Sequence, residues 1–341
     1  MNAADQLFQI AREYVDAAFD IADRYLESTE CQEFVVSLHE VDIAVVVPSS
    51  FEESAILTDA FCSADPNALV SWRLVVIDSS AGYEPPRRRW SPTLNQPTGQ
   101  LRLSDESIRI AIDPIVQVVW VMNRLRKCVL AFVPSLLEIP RWWLATPLRL
   151  GMSWIADVFD SEFVHGAAVG RDGKGIVLAG PSGVGKSTLS LKLSLAGWEF
   201  LSDDFFLMKE TTARAIYRRA KLNSDSLSAL RCQPLPTFVE PETPTKSIID
   251  VWTHDEVAHT AQLNIQALAF PSLAPFSGLQ PVDRARAFME LGPATLAGLQ
   301  GGSVRSFSRL AQIINSCSLY RFGVIGALDE ISGALEAVRV A

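Results

Sequence analysis

The segment Gly180-Pro181-Ser182-Gly183-Val184-Gly185-Lys186-Ser187-Thr188 constrains this chain more than any other. It spells glycine, four residues, glycine, lysine, serine. It lies between a short apolar run, Ile176 to Ala179, and a segment long enough for a helix. Glycines at 180, 183 and 185 let a backbone turn through positive φ and bring bare N–H groups close to a ligand. A helix starting near Lys186 aims its unpaired amides and the positive end of its dipole at the same spot. A cradle of this kind suits the phosphates of ATP. On this reading Gly180 to Thr188 bind the nucleotide, Lys186 reaches the β- and γ-phosphates, and the Ser187 hydroxyl ligates Mg²⁺.

Leu189, Leu191, Leu193 and Leu195 alternate as strand residues would. Leu189, Leu193 and Ala196 also share a helical face, and Gly197 suits a C-cap, so the segment is predicted to be a helix. Trp198 to Leu201 then reads as the next strand, with Asp203 and Asp204 at its C-terminal end. In a parallel strand–helix–strand unit that end shares a sheet edge with the loop. Neighbours on a strand point to opposite faces. One carboxylate can therefore face a metal while the other faces an incoming hydroxyl. Upstream, Phe-Val-His-Gly-Ala-Ala-Val is a predicted strand carrying His165. Taken alone, a histidine in such a run reads as a core residue.

His165-Gly166, the loop Gly180 to Ser187, and Gly197 followed by Leu201-Ser202-Asp203-Asp204 together resemble the HPr kinase/phosphorylase family of bacterial serine kinases. The resemblance covers about residues 139 to 210. It implies an α/β fold with a phosphate-loop kinase core of the HPr kinase and phosphoenolpyruvate carboxykinase type. It implies that Asp204 accepts the proton when a serine hydroxyl attacks ATP, which leaves Asp203 to join Ser187 at the metal. It implies that His165 contacts the transferred phosphoryl group or steadies Asp204, and that Lys186 holds phosphate. The family's Glu-Ile-Arg-Gly motif has no counterpart; the region reads Tyr217-Arg218-Arg219-Ala220-Lys221-Leu222-Asn223. The segment linked to phosphorylase activity is missing as well. The chain thus resembles the HPr-kinase-related branch, which includes kinases of lasso-peptide and other modified-peptide precursors. Pro147-Leu148-Arg149 also resembles that branch. The family is often hexameric, which makes a homo-oligomer one of the expectations.

The remaining sequence sets the surroundings. A length of 341 residues suits one large or two modest domains. With 48% of residues hydrophobic and 20% charged, the chain reads as globular rather than disordered. A net charge of −9 argues against nucleic acid as a partner. Cysteines 31, 62, 128, 232 and 317 are scattered, as in reduced cytoplasmic proteins, and suggest neither a zinc site nor a disulfide framework. The apolar stretches Ile115 to Met122 and Val129 to Leu137 are separated by Arg124, Arg126 and Lys127, which argues against a membrane span.

Residues 3 to 28 have helical apolar spacing, and strands are predicted within 35–47, 73–78, 108–113, 116–122 and 129–133. Residues 1–138 are thus expected to form an N-terminal α+β domain for substrate or partner recognition, and 139–341 the catalytic domain. Residues 84–107 and 234–244 read as loops. Arg218, Arg219, Lys221 and Lys246 are candidate phosphate or substrate contacts, because phosphoryl transfer needs cations beyond one lysine. The expectation is an ATP- and Mg²⁺-dependent kinase acting on a serine-bearing protein or peptide. A nucleotide-binding regulatory module without catalysis, and a kinase of a small hydroxylated metabolite, are the alternatives.

Overall fold

The computed structural model describes residues 3–49, 57–62, 64–65, 68–88, 101–102, 107–113, 115–230, 246–297 and 304–340. Most of the expected loops at 84–107 and 234–244 lie outside the described residues. The fold is mixed α/β with mixed sheets. Two compact units are present. One comprises Met1–Asp59, Ser63–Pro140 and Leu148–Ile155; the other comprises Ala60–Cys62, Arg141–Pro147 and Ala156–Ala341.

The first unit opens with helix α1 (Ala3–Ser28). Ala11, Val15, Ala18, Phe19, Ala22 and Tyr25 recur along one face of α1 and are buried. That face packs on a sheet of seven strands. These are β1 (Cys31–Leu38), β2 (Val41–Pro48), β3 (Val70–Asp78), β4 (Leu101–Arg102), β5 (Ile108–Ile112), β6 (Val119–Asn123) and β7 (Cys128–Val133). Their order is β1-β2-β3-β7-β6-β5-β4, and β3 runs parallel to both β2 and β7. Helix α2 (Arg149–Val158) follows.

The second unit carries the loop. Its strands are β8 (Glu162–His165), β9 (Ala167–Arg171), β10 (Lys174–Leu178), β11 (Glu199–Ser202), β12 (Phe205–Lys209), β13 (Thr212–Arg214), β14 (Arg219–Leu222), β15 (Ser247–Asp250), β16 (Gln262–Pro275), β17 (Gln280–Pro281) and β18 (Ser318–Ile325). Its helices are α3 (Lys186–Leu195), α4 (Ser224–Leu230), α5 (Arg284–Ala297), α6 (Val304–Ser316) and α7 (Leu328–Val340). The main sheet runs β11-β9-β10-β16-β13-β12-β8, with β18 beside β16; β14 and β15 pair separately.

Two features depart from the sequence expectation. β10 and β11 are not neighbours, because β9 lies between them and is antiparallel to both. They still run in the same direction, so their C-terminal ends share one sheet edge. The predicted strand through His165 is in fact two strands: β8 pairs with β12, and β9 pairs with β10 and β11.

The leucine alternation in α3 also has a physical cause. Leu189 and Leu193 pack with Trp198, Ile331 and Leu335. Leu191 packs in another cluster with Phe200, Val251 and Val257. A helix covered on two sides loses the single apolar stripe by which amphipathic helices are read. No helix among the described residues is long and apolar enough to cross a membrane.

Strand β8 is fixed by charge as well as by packing. The Arg309 guanidinium on α6 donates to Glu162 at 3.0 Å and to Asp157, both buried carboxylates. Burial pushes the Glu162 carboxyl up, and Arg309 opposes it. Breaking such a buried network strands the partner charges. Arg309→Met is expected to lower stability by about 3–5 kcal/mol, read from urea unfolding followed by tryptophan fluorescence.

Candidate active site

The loop leaves β10 under tight control. The Ala179 N–H donates to the Ala269 carbonyl at 2.9 Å, so pairing with β16 continues to the residue before the turn. Gly183 and Gly185 take φ of 89° and 91°, where a side chain would be strained. Gly185 is the N-cap of α3 and supplies no side-chain cap. Its carbonyl accepts from Leu189 at 2.8 Å, closing the first helical turn. The first amides of α3 therefore have no acceptor within the helix.

Lys186, Ser187 and Thr188 at that helix start line a cleft of about 310 Å³, together with Ser182, Gly183 and Gly185. His165, Asp203, Asp204, Lys221, Leu222, Asn223 and Lys246 complete its wall. Gly180 and Pro181 turn their carbonyls onto the Lys186 ammonium, at 2.8 and 2.9 Å. Val184 packs inside the loop, 3.8 Å from where a Gly180 Cβ would stand. The Thr188 hydroxyl bonds to Ser226 at 2.7 Å, tying the start of α3 to α4. Burial and the nearby Lys246 charge push the Lys186 ammonium below its usual range, against the pull of Asp203 and Asp204.

The two aspartates lie just past β11 in a bend, not on the strand itself. The opposite-face argument therefore does not apply to them. What separates their carboxylates is the left-handed backbone at Asp204, φ 72°, a conformation that aspartate tolerates better than most residues. Asp203 is buried and accepts from the Lys221 backbone N–H at 3.1 Å and from the Ser187 hydroxyl. Burial and the adjacent Asp204 charge push its carboxyl up.

Asp204 takes the other direction. Its Oδ1 lies 3.2 Å from His165 Nε2, and its Oδ2 lies 2.7 Å from Lys221 Nζ. The Thr146 hydroxyl donates to the same Oδ2 at 3.4 Å. Burial pushes this carboxyl up, but Lys221 and His165 outweigh it and hold Asp204 far below the usual carboxylate range.

His165 is placed by three contacts. Its backbone N–H donates to the buried Thr295 hydroxyl at 3.2 Å. Its ring sits against Phe205, with centroids 5.0 Å apart. The next residue, Gly166, donates to the Asp204 carbonyl at 3.0 Å. A Cβ on Gly166 would lie 2.8 Å from the Leu178 carbonyl oxygen, closer than real contacts allow. The glycine is thus the point where the chain leaves β8 and enters β9.

Ser182, Gly183, Gly185 to Thr188, His165, Asp203, Asp204, Lys221 and Lys246 come together in the cleft, whereas Gly180, Pro181 and Val184 do not line it. Arg218 and Arg219 do not. Arg218 forms a two-pronged pair with Asp250, at 2.7 and 3.3 Å. Arg219 is buried and donates to the Leu144 carbonyl at 2.6 Å. Thr146, Thr295 and Asn223 are site or supporting residues that the sequence reading missed. Thr146 directly precedes the Pro147-Leu148-Arg149 motif, which was the available signal; Thr295 had none, being 130 residues from its partner.

No family model matches the chain, and no curated protein matches it in sequence. Among solved structures it is similar to the Hpr(Ser) kinase/phosphatase from Coxiella burnetii, with 15% identity and a TM-score of 0.29, over 52% of this chain and 97% of that one. A likeness at this level assigns neither family nor activity.

Gly166→Ala is expected to cost about 1–3 kcal/mol, because the added methyl meets backbone rather than a side chain that can move aside. Differential scanning calorimetry checks the lowered melting temperature.

Proposed function

We propose that this chain is an ATP- and Mg²⁺-dependent kinase that transfers the γ-phosphoryl group to a serine hydroxyl of a protein or peptide. The observation that carries the reading is Asp204: a partly buried, ionised carboxylate held by His165 and Lys221 on the wall of the cleft that the loop amides line.

The residues present suit the two ligands. Amides at the start of α3, together with Lys186, match the phosphates of a nucleotide. The Ser187 hydroxyl and the buried Asp203 carboxylate, already bonded to each other, form an all-oxygen donor pair of the kind magnesium takes. They would hold the metal, which when bound neutralises charge on the β- and γ-phosphates. Among the described residues no group of three or more His, Cys, Asp or Glu side chains is placed to hold a metal ion, so the donors offered here are one hydroxyl and one carboxylate.

The chain's own residues then do the following. The loop amides and Lys186 fix the phosphates. Asp204 orients the serine hydroxyl and takes its proton, as the bond from serine oxygen to γ-phosphorus forms and the bond to the β-phosphate oxygen breaks. ADP and phosphoserine are the products. His165 keeps the Asp204 carboxylate in place throughout. A base as weak as Asp204 is adequate, because in a loose phosphoryl-transfer transition state the hydroxyl needs little deprotonation.

Incubation with labelled ATP, Mg²⁺ and serine-bearing peptides tests the reading, with small alcohols as the contrasting acceptors. Nucleotide binding without transfer to any peptide would refute it. Asp204→Asn is isosteric and tolerates left-handed backbone, so the fold is expected to survive. Transfer should fall by about 10²-fold or more while nucleotide binding is retained, measured by single-turnover kinetics and by calorimetric titration.

A further inference from the structure

We propose that Lys221 is an exchange cation: it masks Asp204 in the free protein and moves to the terminal phosphate when a nucleoside triphosphate enters. The inference rests on the kinase reading above and adds a cation-driven order of events to it.

Both oxygens of Asp204 carry a partner before any substrate arrives. His165 occupies Oδ1, and Lys221 and Thr146 converge on Oδ2. A hydroxyl approaching Oδ2 has to compete with an ammonium at 2.7 Å, a charge-assisted bond in a poorly hydrated place. The three ammonium groups lining the cleft have different attachments. Lys186 is held by the loop carbonyls of Gly180 and Pro181. Lys246 stands exposed on the rim. Lys221 sits on the reacting carboxylate.

The backbone of Lys221 is fixed, and its side chain is tied only through the ammonium on Asp204. Its N–H bonds to Asp203, and its strand β14 pairs with β15. The four-carbon stem has the freedom to carry the charge across the cleft from a fixed base. A terminal phosphate offers more negative charge than one carboxylate, so a triphosphate draws the ammonium off Oδ2. A diphosphate ends short of that position and leaves the pair closed. The exchange is noncovalent; no proton or bond is transferred in it. Its consequence is order: the base opens to a hydroxyl only when a γ-phosphate is present to be transferred.

Calorimetric titration with Mg²⁺-ADP and with a non-hydrolysable Mg²⁺-ATP analogue tests this, since neither ligand reacts. Lys221→Met should weaken the analogue by about tenfold while leaving ADP within about twofold, and Lys221→Arg should restore most of the difference. Asp204→Asn should tighten the analogue several-fold more than ADP, because Lys221 no longer has a carboxylate to leave. That selective gain should vanish in the double variant Asp204→Asn/Lys221→Met, which keeps the relief of charge repulsion but lacks the moving cation. The double variant also carries the test if Lys221→Met alone, which takes the ammonium from a partly buried carboxylate, fails to fold. Equal effects on both nucleotides, or a selective gain that survives in the double variant, would overturn the proposal. A wild-type protein that binds and transfers but gives those results would remove this inference alone. A wild-type protein that binds neither nucleotide would remove the kinase reading and this inference together.

Discussion

Two carboxylates on consecutive residues, Asp203 buried and Asp204 partly so, on the wall of one cleft, form the constraint around which the second unit is arranged. Left on one face they would repel each other and any phosphate. The chain separates them with a left-handed residue at Asp204 and gives each its own partners. Asp203 receives uncharged donors, the Lys221 amide and the Ser187 hydroxyl. Asp204 receives an ammonium and an imidazole. Burial of Asp203 and the charged partners of Asp204 displace the two carboxyls from their ordinary range in opposite directions.

The supports of this pair reach well beyond the cleft. His165 belongs to β8, whose first residue, Glu162, is held by Arg309 from α6. The His165 amide is held by Thr295 from α5. Two helices near the end of the chain therefore fix a histidine that acts on a carboxylate in the middle of it. The loop lies between two apolar clusters, because α3 buries leucines on both flanks. Its amides are consequently presented from a helix that is packed on both flanks.

Much of this was legible in the residues. The glycine spacing, the strand ahead of it and the helix behind it are local, so the loop and α3 could be read directly. Asp203 and Asp204 could be nominated from their positions relative to that loop, and His165 only through the family resemblance. What escaped depended on distant pairing. β8 and β9 run on in the same direction through Gly166 but pair with different strands, and only the approach of the Leu178 carbonyl shows why a glycine stands there. Arg218, Arg219 and Lys221 look equivalent as a basic cluster. Their fates diverge through the partners that tertiary structure supplies: Asp250 for the first, the Leu144 carbonyl for the second and Asp204 for the third. Side-chain direction at a strand edge is not written in local composition.

One small hydrogen bond has a wider implication. Gly166 donates its amide to the carbonyl of Asp204. One end of that bond needs a residue without a side chain, and the other needs one at ease in a left-handed turn. Neither position can drift alone without disturbing the geometry of the other. The two sites, 38 positions apart along the polypeptide, thus form a single structural joint.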